Sequence, residues 1–237
     1  MRSKHSVFLF CLFSLLASRA VEGQTHQNSG AELRLQIVSS MPGAHRPVPA
    51  VAWLEALPGT SALRSIPNGP HTLLQKNRTF TPHLQVIPVG SVVRFPNADP
   101  FFHNVFSLFE GKRFDLGLYE AGSSKSVTFS REGVSYIFCN IHPEMSAVVV
   151  ALSTPLYAIA DAKDSIVLSH IPPGDYRLHL WIEGIPKSVL DGLDRKVHFP
   201  PSLVDLGAVR APIAWPRMMS HANKFKKPYA IDTRPPY

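Results

Sequence analysis

The sequence is poor in cysteine. Its 237 residues hold two, Cys11 and Cys139, so no framework of disulfides staples it together. It is also poor in helix-period segments. Beyond the N-terminal stretch, no run of apolar residues recurs at the spacing of an amphipathic helix. Apolar runs are short, and none reaches the roughly 20 residues that a transmembrane helix needs. The basic excess is modest, 24 Lys and Arg against 17 Asp and Glu. It forms no stripe interleaved with aromatic residues, so neither nucleic acid nor a membrane span is expected. No internal repeat of useful length is present.

What the chain does have begins with an export pattern. Arg2 and Lys4 precede a short apolar core over residues 7–17, which is the build of a signal peptide. Ser18-Arg19-Ala20 and Val21-Glu22-Gly23 are both possible cleavage boundaries, which puts the signal at residues 1–23. Cys11 lies inside the apolar core without a small residue before it, which disfavours lipid attachment there. Arg2, Lys4 and Arg19 against Glu22 leave a net charge of about +5 of the original +7. The expected location is the periplasm or the exterior. Only Cys139 then remains, which is unusual for an exported protein. It is an inert buried thiol, half of an intermolecular disulfide, or a metal ligand.

Strand patterns dominate the rest. Residues 33–38 alternate, and 51–55, 81–89, 91–95, 126–130, 134–139 and 147–152 follow as strands separated by Gly and Pro. Turn signals every 8 to 12 residues or so are the pattern of a β-sandwich. Residues 58–78 read as a long loop. Past Leu152 the character changes. Residues 156–160 and 165–168 look like strands, and Pro172-Pro173-Gly174-Asp175 is a turn leading into an alternating strand over 176–181. The organisation expected is a β-sandwich over 31–152, a small β-module over 153–206 and a basic, Pro-rich tail over 207–237.

The densest chemistry lies in Phe138-Cys139-Asn140-Ile141-His142-Pro143-Glu144-Met145. A thiol, an imidazole and a thioether fall within one short loop, and a second imidazole comes from Phe101-Phe102-His103-Asn104. Two His, one Cys and one Met form the ligand set of a blue-copper site, in which a weak axial Met tunes the potential. Soft sulfur ligands suit Cu(I), and imidazole suits both oxidation states. Zinc would accept two His and one Cys, but a thioether is a poor zinc ligand. Pro143 stiffens the loop. Phe101 and Phe102 are expected to form an apolar collar, and Asn104 either ties the two ligand segments together or is an ordinary turn residue. Glu144 is a solvated loop charge, a bias on partner choice or a weakly competing oxygen ligand.

On these residues the chain resembles the cupredoxins, the plastocyanin, pseudoazurin and amicyanin group. Residues 133–149 are similar to their last two strands and ligand loop, and 95–107 to their first-histidine region. The Cys-x-x-His-x-x-Met spacing resembles that of amicyanin. Residues 94–152 also resemble exported bacterial cupredoxin-like proteins of the methylamine-utilisation type. The resemblance implies an all-β, Greek-key sandwich with one type 1 copper at one end. It implies the ligands His103, Cys139, His142 and Met145, with Asn104 behind them and His142 as the electron exit. The region past 153 resembles a transthyretin-like or carboxypeptidase-regulatory β-module. A sandwich needs only about 100 residues, so this module is an addition.

The function expected is the carriage of single electrons between redox partner proteins by Cu(I)/Cu(II) cycling. The alternative is copper delivery or storage, although Met218-Met219 is the only methionine pair. An enzyme is not expected. His-x-His motifs of a multicopper oxidase are missing, as is the second loop cysteine of a dinuclear site. A histidine at either predicted mature N-terminus is missing too. His170, His179 and His198 lie in the C-terminal module, where strand register is too poorly legible to assign a second metal.

Overall fold

The computed structural model describes residues 30–39, 47–108, 111–200, 202–211, 223–225 and 227. The signal segment 1–23 lies outside them. Among the described residues, seventeen strands and one short helix follow in order. They are β1 (Ala31–Ser39), β2 (Ala50–Ala56), β3 (His71–Thr72), β4 (Leu74–Lys76), β5 (Thr79–Thr81) and β6 (Leu84–Pro88). Next come β7 (Val92–Pro96), β8 (His103–Ser107), β9 (Phe114–Tyr119), β10 (Ser124–Thr128), β11 (Gly133–Phe138) and β12 (Ser146–Leu152). The last are β13 (Tyr157–Ile159), β14 (Ser165–Ile171), β15 (Gly174–Ile182), α1 (Lys187–Asp191), β16 (Arg195–Phe199) and β17 (Leu203–Ala211). Apart from α1, the regular structure of the described residues is all β, as the strand patterns and turn spacing lead one to expect. No described helix is long and apolar enough to cross a membrane.

A five-stranded sheet in the order β6-β12-β11-β8-β9 packs on a three-stranded sheet, β10-β7-β3. Between them Phe95, Phe129, Ile137, Val149 and Ala151 are buried in one core, which Cys139 and Met145 also enter. β12 is buried along nearly its whole length because it serves two cores. Ala147, Val149 and Ala151 enter this one, and Val148, Val150 and Leu152 enter the other. A strand covered on both faces reads as a continuous apolar run, and residues 147–152 are such a run.

The second core lies among β14-β1-β17 and β13-β2-β15-β16. Here the pairing departs from sequence order. The sequence reading places residues 31–152 together, yet β1 pairs with β14 and β17, and β2 pairs with β13 and β15. Alternation in Leu33, Leu35 and Ile37 defines a buried face but not the strand beside it. The strands around the Cys139 loop therefore run from β3 to β12, and the flanking segments close on each other as a second layered unit. β17 also carries regular structure into the segment read as tail. Residues 58–78, read as a loop, contain β3 and β4, which are too short to show a period.

Candidate metal centre

The loop from Cys139 to Met145 leaves the end of the β11/β12 ladder, where Phe138 pairs with Ser146. Two main-chain hydrogen bonds close it. The Cys139 N–H donates to the Met145 carbonyl at 3.3 Å, and the Met145 N–H donates to the His142 carbonyl at 3.1 Å. β8 begins at His103 and adjoins β11 through Phe106 and Phe138. Sheet pairing thus brings residues 36 positions apart to one end of the sandwich.

Three donor atoms converge there. Cys139 Sγ lies 3.8 Å from His103 Nδ1 and 3.6 Å from His142 Nδ1, and the two Nδ1 atoms are 3.1 Å apart. Metal–nitrogen and metal–sulfur bonds of about 2.0–2.3 Å allow donors on one ion to stand this close, so the triangle fits a single ion. Among the described residues, no other group of three His, Cys, Asp or Glu side chains converges in this way. His103 and Cys139 are fully buried, and His142 is half-buried. The Met145 side chain is fully buried in the same core cluster as Cys139.

The protonation energetics suit ligation. Burial, reinforced by the facing His103, holds the His142 imidazole below its ordinary value, which favours the neutral form that binds a metal. Burial pushes the Cys139 thiol up, while main-chain groups of Asn104, Ile141 and His142 pull it down. A bound cation would favour the thiolate outright.

The surroundings fix the imidazoles. His103 Nε2 lies 2.8 Å from Asp99 Oδ2, which turns Nδ1 toward the sulfur. Asp99 is itself held by the Asn77 and Arg78 amides at 2.6 and 3.0 Å. Those two residues form the tight turn between β4 and β5, both with positive φ, the backbone form of a type I′ hairpin. Burial raises the Asp99 carboxyl, but these hydrogen bonds and the one from His103 hold it below the usual carboxylate range. The Phe101 ring packs against His103 at 5.3 Å and His142 at 5.5 Å, and the Arg78 guanidinium lies over the same ring at 5.5 Å from its centroid. Phe102, expected in the collar, is 55% exposed.

The Asn104 side chain donates to Asp115 on β9 at 2.7 Å rather than to the ligand loop. The Asn104 backbone is what contacts Cys139. Asp115 also accepts from Lys224 Nζ at 2.8 Å, and the Lys224 amide donates to Asn140 Oδ1 at 2.9 Å. A residue of the tail thereby joins both ligand segments. Asp99, Asp115 and Lys224 escaped the sequence reading. Only the closeness of Asp99 to His103 hinted at the first.

Fold and donor set together define an all-β protein with a buried two-imidazole, one-thiol cluster at a sheet end. No protein-family model matches the chain, and no curated protein matches it. Solved structures similar to part of it include a purple cupredoxin from Nitrosopumilus maritimus, at 24% identity and a TM-score of 0.32. That match covers 35% of this chain and 99% of that one. Amicyanin from Paracoccus versutus matches at 20% identity and 0.32, covering 37% and 85%. A copper-containing nitrite reductase from Thermus scotoductus matches at 23% identity and 0.34, covering 49% of this chain and 28% of the reductase.

Proposed function

We propose that this chain is an exported type 1 copper protein that carries single electrons between redox partners. His103, Cys139 and His142 would hold the copper, and Met145 would supply a weak axial thioether. The observation that carries the reading is the triangle of Nδ1, Sγ and Nδ1 atoms with 3.1–3.8 Å edges. Copper bound there would supply a one-electron couple.

The chain's own part is to hold the ligands still and keep water out. The Asp99 hydrogen bond and the Phe101 ring fix both imidazoles without the ion, so little rearrangement accompanies a change of charge. Burial of Cys139 and Met145 keeps solvent from the sulfur ligands and raises the potential. His142 is the half-buried ligand, flanked by exposed Ile141 and Pro143, and is the contact point for a partner. A delivery protein needs its metal accessible, and two fully buried ligands oppose that role.

Voltammetry of the copper-loaded protein tests this reading. One reversible one-electron wave, with copper retained in both states, is expected. Prompt loss of Cu(I) to a competing chelator would overturn electron carriage in favour of delivery.

A further inference from the structure

The second layered unit has no part in the donor set, yet a continuous line of hydrogen bonds runs from it to the ligand loop. Glu183 follows β15, and its N–H donates to the Pro49 carbonyl at 2.9 Å, which seats it in that unit. Its Oε1 lies 2.6 Å from His83 Nε2. The opposite ring nitrogen, Nδ1, reaches the Ser146 carbonyl at 3.1 Å. The His83 carbonyl accepts from Val148 at 2.7 Å, so His83 grips the start of β12 by side chain and main chain together. Ser146 is the residue after Met145, and its partner Phe138 is the residue before Cys139.

We infer that Glu183 and His83 are positioning residues through which the second unit sets the place of Met145 and so tunes the metal centre. The inference rests on the copper reading above. Both partners are acceptors, so the protonated His83 ring donates to each and cannot rotate, and through it Glu183 fixes the C-terminal stem of a seven-residue loop. The stem is where restraint matters. Cys139 and the two imidazoles are held by core packing, Asp99 and Phe101; Met145 shares the core packing of Cys139, and it alone of the four directly precedes the first residue of β12, Ser146, which His83 holds. A thioether is a weak ligand whose approach to copper sets the potential, so a small shift of the stem is read out there. On this account the added unit supports the site from behind and leaves the His142 face free.

The test compares the copper-loaded wild type with Glu183→Ala, Glu183→Gln and Ile166→Val. Glu183→Ala removes the acceptor, and Glu183→Gln keeps one. Ile166→Val mildly weakens the core of the second unit without touching the line of hydrogen bonds. The readouts are the reduction potential, the Met145 methyl resonance by NMR and the melting temperature. Glu183→Ala is expected to change the Cu(II)/Cu(I) ratio at fixed potential several-fold and to move the methyl resonance, with Glu183→Gln in between. Ile166→Val should lower the melting temperature and leave both site readouts in place. An unchanged potential and resonance in Glu183→Ala would overturn the inference, as would an equal shift in Ile166→Val. If the wild type shows no thiolate–copper absorption, the copper reading fails separately. The methyl resonance of the metal-free proteins then decides whether Glu183 positions Met145.

Discussion

His103 Nε2 stands 2.8 Å from Asp99 Oδ2, and both side chains are buried. The carboxylate takes the nitrogen that a metal does not need and leaves Nδ1 facing Cys139. Partners of this kind orient a ligand histidine and raise its basicity. Asp99→Ala is therefore predicted to weaken copper binding about 10–100-fold, and Asp99→Asn less. Competition titration with a copper chelator measures both.

The ligand loop is also held from its outer side. Asn140 Oδ1 accepts from the Lys224 amide at 2.9 Å. Asn140→Ala should cost about 0.5–1.5 kcal/mol of stability and speed amide exchange across residues 139–145. Equal exchange in the two proteins would mean that the tail contact does not restrain the loop.

The junction of the two units is predicted to weaken as the pH rises. The hydrogen bond to Glu183 raises the His83 imidazole above its ordinary value of 6.5; burial opposes this, and the charge of Glu183 and the Ser146 carbonyl add to it. A raised folded-state value means the stabilisation is fully present below about pH 6.5. It is lost as the pH rises through the folded-state value. The difference in melting temperature between wild type and His83→Gln should accordingly shrink as pH is raised from about 6 to 9. A difference that grows with pH would contradict the assignment.

Cys139 is fully buried, and burial pushes its thiol up. The metal-free folded protein should thus react slowly with a thiol reagent at neutral pH and completely once unfolded. Timed titration with a chromogenic disulfide, with and without denaturant, distinguishes this from an exposed thiol.

The converging group His103, Cys139 and His142 was legible as a candidate because loop chemistry needs only local spacing. Cys139, His142 and Met145 lie on one tight turn, and His103 stands at the start of a strand. Asp99 was not legible, because which carboxylate meets an imidazole depends on ring orientation. The ten segments with a clear period or a continuous apolar run all became strands. Their partners were not legible, because period two defines a face and not a neighbour. β1 and β2 accordingly joined β13 to β17. β8 and β9 carried too little alternation to be read as full strands, and β4 and β5 are three residues each. Of the two collar phenylalanines Phe101 packs on the imidazoles, whereas Phe102, in the irregular segment before β8, is exposed.

The most direct measurement is the optical spectrum of the Cu(II)-loaded protein beside that of Cys139→Ser. An intense band near about 600 nm, present in the wild type and lost in the variant, is the predicted result. A weak spectrum that is the same in both would contradict the account, because Cys139 would then be no ligand.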